Sequence, residues 1–284
     1  MTAGEPVLRV EGLSVRFGGH LAVSDVSLDV HAGSISGLIG PNGAGKTTTF
    51  NAICGVTPPT SGRVLLEGQD LSRASTHQRA RRGVGRTFQR LEVFSSLSVA
   101  DNVRVGLEIR RGWSRRRRPA PQFLTGPDAF DLDADAEVDL IVDRLGLTDL
   151  ADVPVGALPT GSARKVELGR ALAARPRVLL LDEPASGLDD RETDEFGVLL
   201  GELAAAGLGV LLVEHDVALV MRVCSELSVL NFGQVIASGP PAEVQSNHAV
   251  LDAYLGGRDD AATVAVTAAE AGVAIHPGEP GAGR

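Results

Sequence analysis

One short segment of this 284-residue chain combines glycines, a lysine and threonines in a spacing suited to binding phosphate. It reads Gly40-Pro41-Asn42-Gly43-Ala44-Gly45-Lys46-Thr47-Thr48. The glycines let successive backbone N–H groups turn around a phosphate, and the helix that follows adds its positive dipole end. Lys46 would reach the β- and γ-phosphate oxygens, and the Thr47 hydroxyl would ligate Mg²⁺. The segment therefore predicts a site for ATP and Mg²⁺.

Three further residues follow apolar runs and have side chains that suit hydrolysis. Asp182 and Glu183 come directly after Val178 to Leu181, and His215 comes just after Gly209 to Val213. An aspartate at the carboxyl end of a buried strand can reach Mg²⁺, and a glutamate beside it can polarise an attacking water. The histidine could contact a γ-phosphate. Taken singly, the two acids could equally be solvent-facing, and the histidine could be structural.

The elements that would position these residues alternate between strands and helices. We predict strands at residues 7–15, 22–30, 34–39 and 63–67, at the two apolar runs, and as a hairpin of residues 227–230 and 235–237. Residues 49–54 should form a helix behind the glycine loop, and residues 165–173 a second helix. Residues 73–152 look helical and polar, interrupted by residues 111–135. The pattern predicts an α/β fold with buried parallel strands.

Composition excludes several classes of protein. The formal net charge is −9, so we expect no nucleic-acid partner, since a phosphate backbone requires a basic face. No signal peptide and no apolar window of about 20 residues is found, which predicts a cytosolic protein whose membrane role depends on a partner. Cys54 and Cys224 lack metal-ligand spacing and are read as small buried residues in a reducing compartment.

Together these segments resemble the ATP-binding cassette (ABC) family, from about Leu8 to Gly256. The resemblance implies a P-loop NTPase fold, with a RecA-like core, an antiparallel β subdomain and an α-helical subdomain at about residues 90–175. It implies that Phe17 stacks on adenine, that Gln89 touches Mg²⁺ and couples to a membrane subunit, and that His215 is the switch histidine. It also implies a loop that crosses a dimer interface, formed by Ser186, Gly187, Leu188 and Asp189.

The segment Leu158-Pro159-Thr160-Gly161-Ser162 aligns with the family signature, which caps ATP bound to the opposite subunit. It departs from the usual Leu-Ser-Gly-Gly-Gln. Proline stands where the phosphate-contacting serine is expected, and it has neither a hydroxyl nor an N–H. Gly161 is retained. The resemblance then implies a head-to-tail pair of cassettes, with ATP between Lys46 of one and Gly161 of the other, and the turnover rate is the property that the proline puts in question.

Within the family, the run from Gly83 to Gln89, the long insert and the ending from Leu230 to Gly256 look like ATPase subunits of branched-chain amino acid importers. That class also takes up urea, short amides and other hydrophobic amino acids. The resemblance implies transmembrane permease subunits, a second ABC ATPase subunit and, indirectly, an extracytoplasmic substrate-binding protein. The chain would then lie at the cytoplasmic face of the membrane, held there by the permeases.

We expect an ATP-binding domain at residues 1–257, with an insert at about 106–137, and a disordered tail at 258–284. Arg115 to Arg118 in the insert read either as a solvated loop or as a contact for lipid headgroups or a permease loop. Three alternatives stay open. They are a soluble cassette ATPase acting on ribosomes or DNA, a lipopolysaccharide-export ATPase, and a weakly active partner of a second ATPase.

Overall fold

The computed structural model describes residues 4–113 and 133–255. The arginines at 115–118 and the tail at 258–284 lie outside the described residues, as does most of the insert. Within the described residues the chain forms ten strands: β1 Leu8–Phe17, β2 His20–Val30, β3 Ile35–Ile39, β4 Ser61–Leu66, β5 Gln69–Asp70, β6 Val84–Arg86, β7 Val178–Asp182, β8 Gly209–Val213, β9 Glu226–Asn231 and β10 Gln234–Gly239.

Helices alternate with these strands. In chain order they are α1 Lys46–Cys54, α2 Thr76–Arg82, α3 Val99–Trp113, α4 Ala134–Arg144, α5 Thr160–Ala173, α6 Asp190–Ala205, α7 Val217–Val223, α8 Pro241–Gln245 and α9 His248–Leu255. Two 3₁₀ turns, Thr148–Leu150 and Val155–Ala157, connect α4 to α5.

The strands form two sheets. A six-stranded sheet has the order β10-β9-β3-β8-β7-β6, and all its pairs are parallel except the β9–β10 hairpin. A four-stranded antiparallel sheet has the order β2-β1-β4-β5. Every residue of β3, β7 and β8 is buried, as expected for parallel strands covered on both faces.

Two apolar cores cover the two faces of the six-stranded sheet. Leu180 and Leu211 point toward a core shared with α1 and the antiparallel sheet. Their strand neighbours Leu179 and Leu212 point toward a second core that includes helices α3 to α7. This alternation follows from the two-residue period of a strand. The phosphate loop and the carboxyl ends of β7 and β8 therefore emerge at one edge of a sheet whose strands β3, β7 and β8 are buried throughout.

The structure confirms the α/β fold, the buried parallel strands and the terminal hairpin, and it corrects several boundaries. The first helix begins at Lys46 rather than residue 49, because Gly45 in the left-handed region (φ 108°) completes the turn by itself. The helix predicted from residue 165 begins at Thr160, directly after Pro159. The region predicted as helical from 73 to 152 also contains the short strand β6, which pairs with β7.

No helix among residues 4–113 and 133–255 has both the length and the apolar character needed to cross a bilayer.

Candidate nucleotide site

The glycine loop connects β3 to α1 and has backbone positions that only glycine fits well. Gly40 has a φ of 147°, and a Cβ there would lie 2.1 Å from the carbonyl oxygen of Leu230. A Cβ at Gly45 would lie 2.9 Å from the carbonyl oxygen of Ala22. The Lys46 ammonium donates to the carbonyl oxygens of Gly40 at 2.6 Å and Pro41 at 3.1 Å. The Lys46 ammonium thus lies over the same loop that would bind the phosphate.

The other residues of the predicted phosphate site divide by exposure. Asn42, Gly43 and Thr47 are exposed, Thr48 is half-buried, and Ala44 is buried. Phe17, predicted to stack on adenine, is the last residue of β1 and is 54% exposed. An ordinary core phenylalanine would be buried, so this ring is available to a flat ligand.

Asp182 and Glu183 lie where β7 ends. Asp182 is the last residue of the strand and is buried, whereas the Glu183 side chain is 22% exposed. Glu183 has a φ of 50°, a left-handed conformation that is uncommon for glutamate. Its backbone N–H donates to the carbonyl oxygen of Val213 at the end of β8, at 2.8 Å. The neighbouring strand therefore holds this strained turn in place.

Three of the predicted catalytic side chains come together. Gln89 Nε2 donates to Glu183 Oε2 at 2.8 Å, and His215 Nδ1 lies 3.8 Å from the same oxygen. Lys46 and Gly40 line the same cleft, of about 370 Å³. This arrangement puts a partly exposed carboxylate, an amide and an imidazole beside the lysine that would hold a phosphate.

Asp182 forms a buried ion pair that the sequence analysis did not assign. Arg86 Nη2 lies 3.0 Å from Asp182 Oδ2, and Arg86 Nη1 donates to Asn51 Oδ1 at 2.7 Å. The guanidinium also lies over the rings of Phe50 and Phe88. Burial raises the pKa of Asp182, and the positive charge of Arg86 opposes that shift. Arg86 thus ties β6, α1 and the end of β7 together.

The residues present fit a magnesium ion that is held jointly with phosphate. Thr47 and Asp182 have the hard oxygen donors that Mg²⁺ prefers, and Gln89, which lines the cleft, has an amide oxygen. Within the described ranges, no cluster of three or more His, Cys, Asp or Glu side chains could hold a metal by itself. Mg²⁺ typically takes one or two protein oxygens and completes its shell with phosphate and water.

The signature residues lie apart from this cleft. Pro159 precedes α5 and makes no side-chain cap, and Thr160, Gly161 and Ser162 form the first turn of that helix. A Cβ at Gly161 would lie 2.5 Å from the carboxylate of Glu192 in α6. A Cβ at Gly187 would lie 3.6 Å from the Thr160 methyl group, so the predicted interface loop flanks the signature.

Neither segment lines the cleft of its own chain. The residues lining the cleft include none from the signature (158–162) or from the interface loop (186–189). Leu158 and Leu188 instead pack partly against the helical core. Pro159, Thr160 and Gly187 are exposed, with helix α5 presenting its N-terminus beside them.

Three residues at the site were not predicted from the sequence: Asn51, Arg86 and Glu214. Arg86 stands three residues before Gln89 in a segment that was singled out for the glutamine alone. Glu214 is a fully buried carboxylate just before His215. The available signal was an acidic residue at the carboxyl end of an apolar run. Both Asp182 and Glu214 have this position, but only Asp182 was assigned a role from it.

Comparison with protein-family models gives two matches. Residues 23–186 match the model described as ABC transporter. Residues 234–260 match the model described as branched-chain amino acid ATP-binding cassette transporter.

Curated relatives align over nearly their whole length. The branched-chain amino acid transport ATP-binding protein BraF of Pseudomonas aeruginosa is 38% identical over 88% of this chain and 98% of its own. LivG of Escherichia coli, with the same description, is 39% identical over 89% of this chain and 98% of its own. The lipopolysaccharide export ATP-binding protein LptB of Escherichia coli is 35% identical over 88% of this chain and 97% of its own.

A solved structure agrees with this result. A nucleotide-free ATP-binding cassette from an ABC transporter superposes with a TM-score of 0.75 at 28% identity, covering 89% of this chain and all of that one. The family model covers more than half of the chain, and the relatives exceed 30% identity over almost their full length. The chain belongs to the ABC transporter family, as one of its ATP-binding cassette ATPases.

Proposed function

We propose that this chain is the ATP-hydrolysing subunit of an importer for branched-chain or other hydrophobic amino acids, or for related amides such as urea. Two comparisons support the class of cargo. BraF and LivG carry branched-chain amino acid transport in their descriptions, and the match at residues 234–260 is to a model of that transporter class. LptB has lower identity, so export of lipopolysaccharide is the less well supported alternative.

The observation that carries the proposed chemistry is the contact of Gln89 and His215 with one oxygen of Glu183. In our proposal Glu183 accepts a proton from a water molecule as the water oxygen bonds to the γ-phosphorus, and the bond from that phosphorus to the β–γ bridging oxygen breaks to release ADP. His215 fixes the geometry, and Lys46 holds the β- and γ-phosphate oxygens. Phe17 stacks on the adenine. A carboxylate with 22% exposure can meet water and still be oriented by its neighbours.

We propose that Thr47, Asp182 and Gln89 would hold Mg²⁺ together with the phosphates. The ion would neutralise charge that develops on the phosphate oxygens. The buried ion pair with Arg86 occupies one carboxylate oxygen of Asp182. The fold, rather than solvent, therefore sets the orientation of the other oxygen.

We propose that hydrolysis needs a second cassette. The signature lies outside the cleft of its own chain, and its exposed helix N-terminus is suited to a phosphate presented by a partner. In a head-to-tail pair, Gly161 of one subunit would face Lys46 of the other, and residues 186–189 would cross the interface. The second cassette is either another copy of this chain or a related subunit.

An exposed apolar groove beside Gln89 supports a membrane partner. Phe88, Phe94 and Ile109 are each about half exposed and line a cavity of about 420 Å³ with Glu92 and Arg170. Apolar surface of this kind marks protein contacts. We propose that permease subunits dock here and hold the chain at the cytoplasmic face of the membrane, with a substrate-binding protein acting from the other side.

The domain division follows from the same proposal. Residues 1–257 would form the ATP-binding domain, and the signature would move with the helical part at residues 90–175 when the pair closes.

Purification of the intact complex tests this function. The expected result is co-purification with permease subunits and ATPase activity that rises when a branched-chain amino acid and its binding protein are added. A complex stimulated by lipopolysaccharide instead would contradict the cargo. Activity in the complex that survives Lys46→Ala in this chain would assign hydrolysis to the partner, making this chain the weakly active subunit.

A further inference from the structure

Glu214 is buried in an unusual way for a carboxylate. Its side chain has no exposed surface. Three other buried acids, Glu137, Glu167 and Asp182, each pair with at least one arginine. Glu214 instead faces backbone N–H groups that follow β7 and β8, and its Oε2 also lies 3.8 Å from His215 Nδ1. A buried carboxylate is costly unless its oxygens accept hydrogen bonds, so these contacts are what hold it there.

Those N–H groups belong to both halves of the proposed hydrolytic site. The Ala185 N–H donates to Glu214 Oε1 at 2.7 Å, and the His215 N–H donates to Oε2 at 3.2 Å. Ala185 is two residues beyond Glu183, and His215 is the predicted switch histidine. One carboxylate therefore connects the segment after β7 with the segment after β8.

The turn that Glu214 holds contains the strained residue. Glu183 has a φ of 50°. On one side its own N–H is held by the carbonyl oxygen of Val213 at 2.8 Å, and on the other the Ala185 N–H is held by Glu214. A left-handed glutamate persists only where its surroundings determine it. Val213, the last residue of β8, and Glu214, which directly follows it, supply these two contacts.

We propose that Glu214 is a positioning residue. It holds Glu183 and His215 in their positions relative to each other by accepting hydrogen bonds from the backbone amides of Ala185 and His215. The inference rests on the proposed function, because it concerns the same reaction. Glu214 lines the cleft but takes no proton in the reaction, and it acts through the two backbone amides and through the His215 imidazole, whose Nδ1 lies 3.8 Å from Oε2. The interface loop begins at Ser186, so movement of that loop would reach the histidine through the same carboxylate.

Glu214→Gln is the sharpest variant, because it keeps the size of the side chain and replaces one acceptor oxygen by a donor. The amide oxygen can keep the shorter bond to Ala185, and the amide nitrogen then opposes the N–H of His215. We expect kcat for ATP to fall at least about tenfold, since small misplacement of reacting groups has large effects on rate. KM should change less than twofold, because Lys46 and Phe17 are untouched.

Glu137→Gln is the matched control. Glu137 is also a buried carboxylate, but it lies on α4 and pairs with Arg110 and Arg175, away from the cleft. We expect it to lower the melting temperature and leave kcat unchanged. Glu214→Asp is the second variant, for the case that Glu214→Gln does not fold. It keeps the charge but is too short to reach both amides, and kcat should again fall with KM preserved.

A double-mutant cycle with His215→Ala separates positioning from general loss of stability. If Glu214 acts through His215, adding Glu214→Gln to His215→Ala should slow kcat by less than half of its effect in the wild-type chain. Full additivity, or a Glu214→Gln enzyme with wild-type kcat, would overturn the positioning role while leaving the proposed function intact. A wild-type complex without Glu183-dependent hydrolysis would overturn both.

Discussion

Gln89 Nε2 donates to Glu183 Oε2 at 2.8 Å, joining two residues that are 94 positions apart in the chain. Gln89 follows β6 and Glu183 follows β7, and these two strands are adjacent and parallel. Their carboxyl ends therefore deliver both side chains to one edge of the sheet. Gln89 also adjoins the apolar groove at Phe88, so the contact links the proposed permease surface to the proposed catalytic carboxylate.

Gln89→Ala should lower kcat about tenfold, because it removes the contact that orients Glu183. ATP affinity measured without Mg²⁺ should stay within about twofold, because Lys46 and the glycine loop are unchanged. Single-turnover ATPase assays and equilibrium binding of a fluorescent ATP analogue measure the two quantities. Gln69→Ala, at an exposed position in β5, serves as the control and should match the wild type. Equal losses in both variants would show that the contact to Glu183 has no special role.

Arg86→Gln should lower the free energy of unfolding by about 3 kcal/mol, because it leaves Asp182 buried without its cationic partner. Arg86→Lys should recover only part of this loss, since a single ammonium cannot replace two nitrogens that contact Asn51 and Asp182 separately. Urea denaturation measures both. Arg63→Gln, which breaks an exposed pair with Glu11, should unfold almost as the wild type does. A similar small change for Arg86→Gln would contradict the argument.

Pro159→Ser should raise kcat several-fold, because serine supplies a hydroxyl at the residue that precedes α5 and faces the proposed partner nucleotide. The same hydroxyl can cap the helix, which typically adds about 1 kcal/mol of stability. The measurement is ATPase activity of the dimeric or complexed protein. Pro154→Ser, before the neighbouring 3₁₀ turn, is the matched control and should leave kcat unchanged. A Pro159→Ser enzyme no faster than wild type would show that the proline costs nothing in turnover.

Much of the fold could be predicted because local sequence patterns specify it. The all-apolar run of β7 and the hairpin around Gly233 depend on neighbouring residues, and the structure confirms both. The roles assigned to site residues stay predictions. The partners of Asp182 and Glu214 could not be foreseen, because Arg86 and Ala185 reach them only after strands distant in sequence have paired. The early start of α5 was missed because glycine and serine in its first turn are weak helix formers.

Low pH should lower the free energy of unfolding, in part because Glu137 becomes protonated. Burial acts to raise the pKa of Glu137, but hydrogen bonds from Arg110 and Arg175 outweigh it and hold the pKa below its ordinary value. Its contribution is therefore present above the unfolded-state pKa, about 4.3, and is lost as pH falls through the lower folded-state pKa. Glu137→Gln should cost about 3 to 5 kcal/mol at pH 7, and its unfolding free energy should fall less steeply in acid than that of the wild type.

Urea titrations from pH 7 to pH 3 measure this difference between variants. Asp135→Asn, in the same helix but in an exposed pair with Arg104, is the control and should follow the wild-type curve. Parallel curves for Glu137→Gln and the wild type would contradict the assignment of this acid-linked stability to Glu137.

The central claim is that Glu183 drives hydrolysis in a site closed by a second cassette, and Glu183→Gln tests it most directly. The variant should bind ATP, because Lys46 and the glycine loop are unchanged, but it should not turn ATP over. Light scattering after size-exclusion chromatography, with and without Mg²⁺-ATP, gives the deciding measurement. We predict a particle with the mass of two cassettes only with nucleotide, formed by the chain alone or with its co-purified ATPase partner, and ATPase activity reduced at least about a hundredfold. A variant that forms no such pair with ATP, either alone or with that partner, or that hydrolyses ATP near the wild-type rate, would contradict the account.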